Sequence, residues 1–240
     1  MSWIPNKASL GRRFALAALL SSIAVSATAN VLVVRSAGPS ARTYPAGRSL
    51  TDDARIQLRA GDTLVVLDAR GTRTFRGPGT FSPSAAVQAG PRLASSGGNL
   101  ARIGAVRNAG LVPRSPTIWH VDVTQSGTMC LASTGNVMMW RPDSSTRQTL
   151  TITGPGGRVQ RVQWPAGRAV LAWPAGSPIA SGATYTFQQP GVAVPVQITF
   201  RTLSSEPHDL TEVAGALIAN GCQEQLDLLV ETAPDQPTAG

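Results

Sequence analysis

Between Val31 and Arg201, glycine and proline cut the chain into short apolar runs, and this punctuation limits the fold more than any single motif does. The protein has 24 glycines and 18 prolines in 240 residues. The runs between them include VLVVR at 31–35, TLVVLD at 63–68, NVMMWR at 136–141 and VPVQITFR at 194–201. They have the length of strands and are too short for stable helices. The spacing therefore predicts a mainly β protein built from two series of strands.

The first series fills residues 30–83. Thr63 to Leu67 reads as a strand, Asp68 to Gly71 as a turn, and Thr72 to Phe75 as the returning strand of a hairpin. The stretch GTRTFRGPGTF at 71–81 has the glycines of a phosphate loop but no lysine and no following helix, and Pro78 removes an amide donor. It reads instead as the hairpin return and a Gly-Pro-Gly bend, with Arg73 and Arg76 on the surface. Residues 84–115, rich in Ser, Ala, Gly and Pro, read as a linker or surface loop with room for a short helix at LARIGAVR. The second series, 116–203, holds seven or eight candidate strands in about 85 residues, which suits an immunoglobulin-like β-sandwich.

After Arg201 the period changes. Leu210, Val213, Ala214, Leu217 and Ile218 recur at helical spacing, with serines ahead and Asn220-Gly221 as a stop. Cys222, Leu226, Leu229 and Val230 continue the pattern, so residues 204–232 read as a helical hairpin and 233–240 as a disordered tail. Aromatic-Pro-Ala-Gly occurs at 44–47, 164–167 and 173–176, where type I turns with proline second and glycine fourth are expected. Trp119, Trp140, Trp164 and Trp173 are either core and edge residues of the second series or a platform for stacking sugar rings.

Ahead of the first strand, Lys7, Arg12 and Arg13 precede the apolar run FALAALLSSIAV at 14–25 and the small triplet Ala27-Thr28-Ala29. This layout is that of a secretory signal peptide, residues 1–29, cleaved before Asn30, which places the mature protein in the periplasm. The alternative is an uncleaved anchor in the inner membrane, because Phe14 to Val34 carries no charge. Past residue 29 there are 18 arginines, no lysine and 13 acids, a net charge of about +5. The arginines all precede residue 202 and seven of the acids follow residue 205. The basic body and acidic end either neutralise each other or bind polyanions, and export disfavours nucleic acid as the partner.

Cys130 and Cys222, two cysteines in an exported chain, read as one disulfide. Cys130 as a nucleophile lacks a neighbouring histidine, since His120 lies ten residues upstream. Zinc on His120, His208 and the cysteines lacks short ligand spacing. His120 and Asp122 share a strand face as a candidate acid–base pair. No catalytic residue, metal, nucleotide or cofactor is expected from these patterns.

Gly47 with Leu50, Gly61-Asp62, Leu64 to Asp68, Gly71-Thr72 and Gly77-Pro78-Gly79 resemble the periplasmic FecR-type domain. In that domain a glycine-leucine opening leads to an apolar strand, a polar turn and a Gly-Pro bend before the next strand. The resemblance covers about 50 residues and implies signalling or scaffolding through membrane partners. Taken whole, the leader, hairpins, cysteine pair and C-terminal helices resemble a family of exported alphaproteobacterial proteins. The expected protein is non-enzymatic and works by contacts with an envelope or inner-membrane protein, with Arg73, Arg76, Trp164 and Trp173 as its interaction surface. The alternative is a module that binds envelope glycan or a small ligand.

Overall fold

The computed structural model describes Met1 and residues 30–83 and 115–236. The signal peptide and residues 84–114 of the expected linker lie outside the described residues. In the first series β1 (Asn30–Ala37), β2 (Ser49–Thr51), β4 (Thr63–Asp68) and β5 (Gly71–Arg76) form an antiparallel sheet in the order β2-β1-β4-β5. Two shorter strands, β3 (Ile56–Leu58) and β6 (Gly79–Phe81), pair separately. The stretch 71–81 is thus β5, a bend through a cis Gly77–Pro78 bond, and β6. A Cβ at Gly77 would lie 2.0 Å from the Arg59 carbonyl oxygen, so this bend admits no side chain.

Both faces of the first sheet are covered, which is why VLVV and LVVL run apolar without alternation. Val31, Val33, Leu64, Val66 and Phe75 pack on Ile56 and Leu58, while Leu32, Val34, Val65 and Leu67 face the opposite way into a second core. Arg73 falls on the first of these faces. It stands opposite Val66, two residues from Phe75, and is only 4% exposed. The expectation of a surface Arg73 is therefore wrong: the Asp68 carboxylate at the end of β4 accepts its guanidinium inside the fold. Arg76, one pleat further, is exposed.

The first four residues of the expected tail correct a second expectation, and 237–240 lie outside the described residues. Residues 233–236 are placed, with Thr72 N–H donating to the Pro234 carbonyl at 2.8 Å and Gln236 N–H to the Thr72 carbonyl at 2.7 Å. Asp235 thereby extends the edge of β5 as a parallel bridge. The unpaired main-chain groups of an edge strand supply the reason for that order.

The second series is a two-sheet sandwich. β7 (His120–Asp122), β9 (Met138–Trp140) and β12 (Val170–Ala172) make one sheet, ordered β12-β9-β7. β8 (Gly127–Leu131), β10 (Gln148–Thr153), β11 (Val159–Trp164), β13 (Thr184–Gln188) and β14 (Val196–Thr202) make the other, ordered β11-β10-β13-β14-β8. The pairs β14–β8 and β7–β9 are parallel. Between the sheets Met139, Leu150, Ile152, Tyr185, Phe187 and Phe200 form the core.

Two helices follow, α1 (Leu210–Asn220) and α2 (Gln223–Thr232). The start of α1 is capped by Asp209, which accepts from Glu212 N–H at 2.8 Å, and not by the serines upstream. Gly221, at φ 69°, closes it in the left-handed conformation that suits glycine. Cys222 then bonds to Cys130 of β8 across a Cα separation of 5.9 Å. Ala214, Leu217, Leu226 and Leu229 of the hairpin share one core with Leu32, Val34, Val65 and Leu67 of the first sheet and with Cys130 and Leu203 of the second unit. The helices cover the open face of the first sheet because its apolar side chains have no second sheet to meet. Among the described residues, no helix is long and apolar enough to cross a membrane.

Candidate functional site

Neither Trp164 nor Trp173 presents a surface ring. Trp164 is 1% exposed and half-buried Trp173 stands edge-on to Tyr185, Phe187 and Phe200 at ring separations of 5.6, 6.0 and 5.3 Å. Each indole N–H closes its own Trp-Pro-Ala-Gly turn, Trp164 on the Arg168 carbonyl and Trp173 on the Ser177 carbonyl. The turns also differ from the expected type. At 44–48 proline is the first residue and glycine the third, with Arg48 N–H donating to Pro45 at 3.1 Å and Gly47 at φ 87°. Beneath Trp164 lies Arg141, 2% exposed, its guanidinium 5.1 Å from the ring and bonded to the carbonyls of Thr146, Pro165 and Arg168 and to Gln148. With Trp140 also buried, the four tryptophans form no common stacking platform.

The residues proposed for chemistry are likewise in structural use. Cys130 and Cys222 are a disulfide, so neither is a thiol. Among the described residues no three His, Cys, Asp or Glu side chains are grouped to hold a metal ion. His120 and Asp122 do line one groove, yet each is bonded elsewhere. His120 Nδ1 lies 2.8 Å from Thr117 Oγ1, and Asp122 accepts from Thr124 N–H at 2.8 Å and Thr124 O–H at 2.6 Å. Burial lowers the His120 pKa. Burial also raises that of Asp122, against the two Thr124 bonds. Both shifts favour the neutral forms.

That groove, about 430 Å³, lies at the junction of the first sheet, the sandwich and α2. Its floor includes half-buried Ile118 and Leu228, above Val121, Met129 and Ile198 of the sandwich core. One wall is α2, where Glu224, Asp227 and Glu231 follow at spacings of three and four and so share a helix face. Arg35 of β1 reaches across to Asp227, an ion pair between the basic body and the acidic end. Behind this wall Gln225 is 5% exposed. Its amide accepts from Cys130 N–H at 2.6 Å and donates to the carbonyls of Cys130 at 3.0 Å and Ile118 at 2.7 Å. Gln225 therefore fixes the register of α2 against β8 and against the chain entering β7.

Of the four residues expected to form an interaction surface, only Arg76 is exposed, and it does not line this groove. Arg35, Glu224 and Gln225 were not singled out from sequence. The acidic face of α2 was available as a signal in the Glu224, Asp227, Glu231 spacing, but the strand edges it faces come from the tertiary fold. Comparison with known proteins finds no family model, no curated protein and no solved structure that matches.

Proposed function

We propose that this is an exported, non-enzymatic protein of the cell envelope that acts by holding a partner protein in the groove between α2, β7 and β8. The observation that carries the reading is the groove itself: an apolar floor and a carboxylate wall held in register by a disulfide and by the buried Gln225 amide. Rigid walls with both apolar and charged surface suit binding of a segment from another molecule. The periplasmic location rests on the leader and on the disulfide, which persists in oxidising compartments. Val31 to Val34 lie buried in β1, which leaves only residues 14–29 of the uncharged stretch ahead of that strand in the sequence. Sixteen residues are fewer than the roughly 20 a spanning helix needs, which favours cleavage before Asn30 over an uncleaved anchor. The FecR-type resemblance of residues 44–81 is compatible with the same role, as a scaffold or relay component. Glycan binding receives no support from the buried tryptophans.

The test is photo-crosslinking in living cells from a reactive residue placed at Gln125 or Glu231, with Arg161 on the outer edge strand β11 as control. A discrete adduct from the groove positions and none from Arg161 is expected. The absence of any groove-specific adduct would remove this reading.

A further inference from the structure

β3 and β6 form the outer layer of the first unit, and the surface around them is basic. Ile56 and Leu58 point into the core, so Gln57 between them and its partner Thr80 on β6 face solvent. The Tyr44 hydroxyl accepts from Gln57 N–H at 2.9 Å and holds the 40–44 loop beside β3. An open concavity of about 440 Å³ lies among these segments. It is lined mainly by Ser40, Thr43, Tyr44, Gln57, Arg59 and Thr80, and no acidic residue is in its lining.

Four exposed arginines surround it. Arg59 lines the concavity itself. Arg76 stands close by, since the next residue, Gly77, packs on the Arg59 carbonyl. Arg48 bonds to the Thr43 carbonyl and lies over the Tyr44 ring, 5.6 Å from its centre, and Arg42 is the residue before Thr43. Among the described residues none of the four is in an ion pair. Asp62 is buried and accepts the main-chain N–H groups of Ser40 and Arg59, so it offsets no more than one of the four charges. In the turn before β3, Asp52 and Asp53 outnumber Arg55, and the patch ends there. The acidic helices do not neutralise it either. They pack on the Leu32, Val34, Val65 and Leu67 face of the first sheet, whereas β3 and β6 pack on the other. Where Gly47 approaches α1 it meets Ile218, not a carboxylate.

We propose that this face rests on an anionic bilayer, with Arg42, Arg48, Arg59 and Arg76 set against the headgroup phosphates. A guanidinium presents paired donors to phosphate oxygens. Of the four, Arg59 alone lines the concavity, so they do not converge on one ion; cations spread over a face match a surface that carries many phosphates. Among the described residues none of the large apolar side chains left exposed lies on this face. Attachment is therefore electrostatic and reversible, each cation near the surface adding about fivefold in affinity. The groove, on the helix side of the same sheet, stays open to its partner.

The experiment is co-sedimentation of the full chain from Asn30 with lipid vesicles. Binding to vesicles of equal parts phosphatidylglycerol and phosphatidylcholine is expected, with none to phosphatidylcholine alone, and added salt should weaken it. Arg42→Gln, Arg59→Gln and Arg76→Gln together should lower the affinity about a hundredfold with the circular dichroism unchanged. Glutamine in place of Arg147, Arg158 and Arg161, exposed on the sandwich, removes the same charge and should leave binding as it was. An equal loss in the two triple variants would assign the effect to net charge and overturn the proposal. Binding to phosphatidylcholine alone, no binding to the mixed vesicles, or indifference to the first triple variant overturns it as well. If inorganic phosphate displaces the protein while chloride at the same ionic strength does not, the face holds a single anion and not a bilayer, and the proposal is likewise overturned.

Discussion

Arg141 shows how much a single position can hold. Its charge is buried with no carboxylate in direct contact; carbonyls, an amide and the Trp164 ring surround it instead. Burial lowers its pKa, with Asp143 opposing. Lysine has the charge but not the planar fork, so Arg141→Lys should leave carbonyls unbonded and cost about 2 kcal/mol, read by urea unfolding. Arg73 differs, since its partner is the Asp68 carboxylate. Burial pulls the Asp68 pKa up, but the Arg70 amide and side chain and the Arg73 charge together lower it. Arg73→Ala strands that carboxylate with only the more exposed Arg70, and a loss of about 3 kcal/mol is expected by the same measurement. Asp122 carries the opposite sign. Its folded pKa is raised above the ordinary 3.8, so the unfolded chain ionises first and the carboxylate opposes folding at neutral pH. Asp122→Asn should raise the melting temperature at pH 7, and the gain should vanish once the pH falls below about 3.8, where both states of the parent are protonated.

The elements themselves were largely legible in the sequence. Strand-length runs between glycines gave β4, β5 and their turn, and helical spacing located α1 and α2, because these depend on local geometry and period. What was not legible depends on long-range pairing. Arg73 looks like any strand arginine until Asp68 is seen diagonally across the hairpin, and Trp164 resembles a surface aromatic until its indole turns back to Arg168. Gln225 in particular has no local signature, since its partners lie 95 and 107 residues away. The bridge between β5 and the tail belongs to the same class. A Cβ on Gly71, at φ 136°, would sit 2.0 Å from the Pro234 carbonyl oxygen. Gly71→Ala should therefore expel residues 234–236, and hydrogen exchange at Thr72 should accelerate to that of a chain ending at Ala233. Protection at Thr72 unchanged in either variant would mean that the tail does not hold this edge.

At the scale of the molecule, the helical hairpin joins two β units that sequence punctuation alone would separate. Leu32 and Val34 of the first unit and Leu203 of the second meet in one core with residues of α1 and α2. Replacing Cys130 and Cys222 with alanine removes a link closing 92 residues, worth about 4 kcal/mol on chain-entropy grounds. The expected sign of the shared core is that exchange in β1 and β8 rises together in that variant, measured residue by residue. A rise confined to β8 would show that the units open independently.

The same bond has a mechanical meaning. Tension applied between the two ends of the chain passes through β7 to Cys130 and crosses the bond to Cys222, so β9 to β14 and α1 form a closed loop off the line of force. About 330 Å of contour, at roughly 3.6 Å per residue across that 92-residue separation, cannot pay out while the bond is intact. Under load the first sheet, β7 and α2 are the described parts that can yield, and the groove wall at β8 and α2 stays fastened at its Cys130–Cys222 end.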